Sequence, residues 1–459
     1  MTGPMRIILA CLCSLVVSLS CLCDRSLLQA ADWPQWRGAD GQGVATAKNL
    51  PLTWSESENV AWKTPLPGKG WSSPVVVGNR IWLTAAIETP DTPENAQKRL
   101  KANTGNQPLN LAAQVEFIAV GLDRDSGKIV QQISLFIQKE PQWVHELNSY
   151  ASPSPVIDRG LLYCHFGTFG TACVDLVTNK ILWTNRDIPL MHENGPGSSP
   201  MIAGDLLVFH CDGSDKQFVV ALDRLTGKVV WQTDRSGKMN ENPQLKKAYG
   251  TPLLMTIKGE PQVISPGADW LYSYDPKTGK ELWKLPYGIL GFSIVPRPVT
   301  GHGMIYFSTS YMQSELLAVR VDGSDGQPEP HIVWRSKKGI PKIPSPLLVE
   351  SELYLVSDEG GVVTCLDALT GEAVYRERID GKFCSSPIFA DGKLFFCDRE
   401  GVTTVVQPGR EFKVLAKNHL DSGMMASPVA VDTALFLRTE KALYRIEAGK
   451  KATAATNAK

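Results

Sequence analysis

The sequence predicts an all-β fold: an eight-bladed β-propeller of four-stranded antiparallel blades, its ring closed by an N-terminal strand. Three observations carry that expectation. First, eight short strands open on a residue followed by proline: Ser73-Pro74, Ser154-Pro155, Ser199-Pro200, Thr251-Pro252, Arg297-Pro298, Ser345-Pro346, Ser386-Pro387 and Ser427-Pro428. After a first interval of 81 residues the spacings are 45, 52, 46, 48, 41 and 41, the length of one propeller blade. Second, short runs of β-branched, aromatic and aliphatic residues bounded by Gly, Asp and Asn recur in each repeat, without a long amphipathic helical period. Third, the last repeat lacks a fourth strand, and a segment with outer-strand composition stands unused near the start.

Taken in order, residues 1–30 read as a signal peptide. Arg6 precedes an apolar run over residues 7–19 that is short for a membrane span, and Leu28-Gln29-Ala30 precedes Ala31-Asp32. The protein is therefore expected to be exported, to the periplasm or the extracellular space. Cys11, Cys13, Cys21 and Cys23 fall in this segment, and Ser18-Leu19-Ser20-Cys21 leaves lipidation open. Membrane association is expected only if a lipid is attached or the signal is retained. Residues 31–448 form one domain, because a repeat overrides the domain count that length alone suggests.

Asn59-Val60-Ala61-Trp62-Lys63 is expected to complete the last blade by pairing with residues 443–446, which removes two exposed sheet edges. Residues 87–111 interrupt the first blade as a polar surface excursion with a short helix near 93–101. The internal order of a blade is clearest in the third: Met201-Ile202, a turn, Leu206-Leu207-Val208-Phe209, a polar turn at 212–215, Phe218-Val219-Val220-Ala221-Leu222, a third turn, and Val229-Val230-Trp231. That third turn recurs at 123–127, 175–179, 223–227, 275–279 and 367–371. It ends on Gly, or on Asn179, which take positive φ cheaply. Trp62, Trp183, Trp231, Trp283 and Trp334 stand on outer strands, where an indole can wedge against the neighbouring blade. The tail at 449–459, rich in Ala, Thr and Lys, is expected to be disordered.

Charge is balanced, with 47 basic and 47 acidic side chains, so nothing points to nucleic acid or an anionic membrane as partner. Six cysteines lie beyond residue 30, with neither Cys-x-x-Cys spacing nor a histidine cluster, which argues against zinc. A hairpin turning about Thr168-Phe169 sets Cys164 opposite Cys173. They are either a disulfide or two small apolar residues within a blade.

Ala221-Leu222-Asp223 through Thr226-Gly227-Lys228 to Trp231, with its copy from Tyr274-Asp275 to Trp283, resembles the repeat of pyrroloquinoline-quinone (PQQ) type propellers across nearly the whole chain. Asp32-Trp33-Pro34-Gln35-Trp36-Arg37-Gly38 with Asp40-Gly41-Gln42-Gly43 resembles the start of exported planctomycete members, as do 148–153, 165–171 and 443–447. The resemblance implies an exported propeller and two functional classes. In quinoprotein alcohol dehydrogenases it implies PQQ and calcium over the axis, with an aspartate base and adjacent cysteines; this chain has no neighbouring Cys-Cys pair and lacks most of the inserted loops. In the BamB-like scaffold of outer-membrane β-barrel assembly it implies cofactor-free binding of a protein partner through loops. The favoured expectation is a monomeric binding or interaction scaffold for an unknown protein or small anionic ligand, with PQQ-dependent oxidation of an alcohol or sugar as the alternative.

In a propeller the connections between blades and the middle hairpins share one face around the channel. The connections at 142–150 and 187–195 and the hairpin at 212–216 therefore bring together His145, Asn148, His192, Glu193, Asn194, Asp212 and Asp215. These groups either hold a divalent ion or polar ligand, calcium suiting them best, or are solvated loop residues satisfying turns. Arg297 is the only long cation in a register otherwise filled by Ser and Thr. It either anchors an anion near the channel mouth or forms an internal salt bridge to a carboxylate such as Asp269.

Overall fold

The computed structural model describes residues 32–103, 107–288, 291–450 and 453–454. The expected signal peptide, with its four cysteines, lies outside the described residues. No helix among them is long and apolar enough to cross a membrane.

Eight antiparallel sheets follow one another in chain order, each built outward from a short inner strand such as Val75–Val77, Met201–Ala203 or Ile388–Ala390. The eighth blade takes three strands from the C-terminal repeat, Val429–Val431, Ala434–Arg438 and Ala442–Glu447, and its fourth from Val60–Pro65. Val60 faces Ile446, Lys63 faces Tyr444 and Thr64 faces Leu443, so both ends of the chain close the ring as the sequence predicts. On the other side of Val60–Pro65, Thr453–Ala454 pairs parallel to Trp62 and Lys63.

The core lies between blades. Phe117 and Phe166 join blades one and two, Trp183 and Phe209 join two and three, and Leu271 and Phe307 join four and five. The tryptophans supply the outer part of these contacts. Trp62, Trp183, Trp231 and Trp334 donate their indole N–H to the carbonyls of Arg124, Arg224, Pro276 and Ala368, each in the next blade's third turn, at 3.0–3.1 Å. Each ring covers that turn's glycine so closely that a Cβ at Gly127, Gly227, Gly279 or Gly371 would fall 2.4–2.5 Å from it. Trp283 departs from this pattern: it donates to Gln262 Oε1 of its own blade at 2.9 Å, because the next blade offers Asp322-Gly323-Ser324 instead of the five-residue turn.

Two expectations are corrected by register. Cys164 pairs with Ala172, and Cys173 with Tyr163. Adjacent positions on a strand face opposite sides, so Cys164 packs toward blade one and Cys173 toward blade three, and both thiols are free. In the first blade, residues 87–90 extend the strand Arg80–Pro90, which pairs with Ala112–Asp123 out to Pro90. The excursion narrows to a helix, Pro93–Leu100, capped by Thr92, and a strand, Leu109–Asn110, that pairs with Val144–His145.

Candidate functional site

The residue before each proline forms an annulus at the axis. The backbone N–H of Ser73 donates to Ser154 Oγ at 2.8 Å, Ser154 to Ser199, Ser199 to Thr251, Arg297 to Ser345, Ser345 to Ser386, Ser386 to Ser427, and Ser427 back to Ser73, all within 3.0 Å. The link from Thr251 to Arg297 is missing, because Arg297 has no hydroxyl to accept it. A hydroxyl that accepts in this way keeps its own proton to donate.

Above the annulus opens a cavity of about 510 Å³. Its wall repeats with the blades. The residue two before each annulus position, namely Trp71, Ser152, Gly197, Tyr249, Val295, Ile343, Cys384 and Met425, lines it in every case. Loops add His145, Asn148, Asn194, Gln244, Lys247, Phe292 and Tyr311, and the first-blade excursion adds Gln107. The floor is annulus hydroxyls and Trp36, whose indole lies 3.3 Å from Ser427 Oγ.

Trp36 is held by an N-terminal strap, residues 32–45, that crosses the far side of the channel. On four blades the strap bonds the third residue past the annulus. Trp33 exchanges two backbone bonds with Val76, Ile157 N–H donates to the Pro34 carbonyl, Thr300 N–H to Gln42 Oε1, and Phe389 N–H to the Gly43 carbonyl. The channel is thereby closed on one side and open on the other.

Of the predicted residues, His145, Asn148 and Asn194 line the cavity. His145 Nδ1 accepts from Leu147 N–H at 3.1 Å, so the neutral ring carries its proton on Nε2. Burial lowers its pKa. Asn148 donates to the carbonyls of Asn194 and Pro196, and Asn194 donates to the Tyr249 hydroxyl, tying two blade connections together. The other five do not line the cavity. His192 is buried, held at about 4 by desolvation, and accepts from Thr168 N–H. Glu193 accepts from Ser214 Oγ, and Asp215 from Met191 N–H. Asp212 sits 2.6 Å from Arg235 in a buried ion pair, with desolvation raising the carboxyl pKa. Arg297 is not at the mouth: its Nη1 donates to the Trp36 carbonyl at 2.8 Å on the strap side, and no ion pair to Asp269 forms.

Sequence reading passed over the aromatic wall and Lys247. The eightfold position two before each annulus residue was recoverable from the register, but it supplies only Trp71 and Tyr249 of the aromatic rings; Phe292 and Tyr311 come from two short segments that pair with each other outside the repeat. Lys247 sits in the longest of the regular intervals and carries no repeat signature. It is 2% exposed, bonds Gln244 Oε1, and is brought down to about 8 by burial, with Glu193 pulling the other way.

The donor set does not suit calcium with a quinone. Among the described residues no Asp or Glu lines the cavity, and no three His, Cys, Asp or Glu side chains converge as a metal site. Calcium takes six to eight oxygens, usually with carboxylates among them. No carboxylate base faces the space either.

These features define a closed eight-bladed propeller with a strapped channel and an open, aromatic-walled axial cavity. A family model described as "Outer membrane protein assembly factor BamB" matches residues 38–233, 215–329 and 267–409, and the chain belongs to that family of PQQ-like repeat propellers. No curated protein matches the chain. Similar solved structures include BamB from Moraxella catarrhalis (TM-score 0.52, 14% identity, 73% of this chain and 99% of that one). A europium-containing methanol dehydrogenase has TM-score 0.60 and 13% identity, with 89% of each chain covered. The computationally designed Ika8 protein has TM-score 0.53 and 11% identity, covering 86% of this chain and 100% of that one. At such identities the likeness is one of fold.

Proposed function

We propose that this chain is an exported, non-catalytic binding propeller whose axial cavity receives a largely apolar group bearing one negative charge, offered by a small ligand or by a side chain of a partner protein. The observation that carries this reading is the lining itself: aromatic rings, annulus hydroxyls, no carboxylate, and Lys247 as its one cation among the described residues. An ammonium in a mostly apolar enclosure favours an anion, and flat rings favour an aromatic or aliphatic body beside it.

The test uses anilinonaphthalene sulfonate, an aromatic anion, as probe. The intact protein is expected to bind one equivalent with a fluorescence rise. Lys247→Met should weaken binding by about tenfold or more, the loss of one charge-assisted contact, and Trp71→Ala should weaken it as well. Binding indifferent to both substitutions overturns the site. Dye-linked alcohol oxidation after PQQ and calcium are added overturns the non-catalytic reading.

A further inference from the structure

On the strap side of the annulus two arginines share the channel. The strap carries Arg37 inward, 1% exposed, and blade five sends Arg297 toward it, 2% exposed. Arg297 donates Nη1 to the Trp36 carbonyl. Arg37 donates Nη1 to the Pro387 carbonyl at 3.4 Å and Nη2 to the carbonyls of Gln42 and Pro346 at 2.8 Å. Every one of these acceptors is neutral. The Nε–H of each arginine is buried without a partner. Arg235, equally buried, has Asp212 at 2.6 Å. Arg438 also has only neutral acceptors and an unpartnered Nε–H, so what sets Arg37 and Arg297 apart is that the two guanidinium charges act on each other.

No carboxylate pairs with Arg37 or Arg297 among the described residues. Asp40 is the one that acts on both, and it is exposed, with its Oδ1 accepting from Gln42 N–H at 2.9 Å. Burial, then the charge of Arg297, brings the Arg37 guanidinium down to about 9, and burial brings Arg297 to about 10, against the pull of Asp40. Both stay charged at neutral pH. Two like charges withdrawn from water without a counter-ion oppose folding unless something neutralises them.

The strap is shaped to these side chains. A Cβ at Gly41 would lie 2.3 Å from Arg297 Nη1, and one at Gly43 would lie 2.7 Å from Arg37 Nη2. Neither arginine lines the open cavity above the annulus.

We infer that a small inorganic anion of halide size binds in the channel between Arg37 and Arg297 and pins the strap, and with it Trp36, across the channel floor. This site lies on the other side of the annulus from the cavity that Lys247 lines, and the melt reads it without the cavity probe.

The experiment is a thermal melt of the whole purified protein in sodium chloride against sodium gluconate at matched ionic strength, with bromide-soaked crystals alongside. Chloride is expected to raise Tm by about 2 °C and to saturate below the molar range. An anomalous bromide peak is expected between the two side chains. Arg297→Ser restores the residue type of the other repeats and gives Thr251 N–H its missing acceptor, so it is expected to fold and to lose the chloride increment. A full chloride increment in Arg297→Ser, or no halide-specific increment in the wild type, overturns the inference. So does a crystal with bromide at its surface but none in the channel, which decides the matter should the variant not fold.

Discussion

At the scale of single residues, the blade contacts turn on a pairing of indole with glycine. Gly227 has φ 70°, and its missing Cβ makes room for Trp183, so Gly227→Ala meets both strain and overlap. It is expected to destabilise by about 2–3 kcal/mol, read as a lower urea midpoint at constant slope. Asn179 holds the same position with φ 57° where the preceding blade carries Gln131 in place of tryptophan. There Asn179→Gly should change stability by less than about 0.5 kcal/mol. Buried histidines give a pH dependence. Desolvation holds His165 at about 3 and His192 at about 4, below the ordinary 6.5, so the unfolded chain takes up protons that the folded one refuses. Their stabilisation is complete above about pH 6.5 and declines toward pH 4 by up to about 1.4 kcal/mol per unit for each ring. Asp212 and Asp398, raised by burial, act in the opposite sense. The urea midpoint is therefore expected to fall from pH 7 to pH 5, and less steeply in His192→Gln. The disulfide expectation shows where residue-level reading stops: a hairpin's register depends on its turn, and the tight helical turn Gly167–Phe169 sets the pairing one residue away from symmetry.

At the scale of elements, the closing strand was legible because a missing fourth strand at one end and a spare one at the other are both features of composition. Val60–Pro65 has partners on both sides, so proline within it removes a ladder bond and leaves the edge of Ala442–Glu447 open. Lys63→Pro is expected to cost about 3 kcal/mol or more and to promote association, followed by denaturation and light scattering. The strap was not legible as an element. Residues 32–45 form no extended strand run, and their bonds go to Val76, Ile157, Thr300 and Phe389, on four different blades and as far away in sequence as Gly43 is from Phe389. The first-blade excursion begins later than residue 87, after the strand Arg80–Pro90, and its route to the cavity rests on the pairing of Leu109–Asn110 with Val144–His145.

At the scale of the whole molecule, a ring whose every blade packs on two neighbours has no terminal repeat from which to fray. Closure by the chain's own N-terminal strand should make the blades one cooperative unit. Denaturation followed by fluorescence and by circular dichroism is expected to give coincident curves in the wild type and separated ones in Lys63→Pro. The sequence by itself determined the blade count, the strand order, the closing segment and the face on which the blade connections gather, because each follows from local periodicity repeated eight times. Only the tertiary structure decided which side chains face the axis. It turned Arg297 away from the mouth toward the strap, left His192, Glu193, Asp212 and Asp215 out of the cavity lining, and brought Lys247 and the aromatic rings into it. The physical reason is that a repeat fixes where a residue stands along its own blade, whereas the direction of a side chain and the partner that satisfies it come from another blade or from the strap.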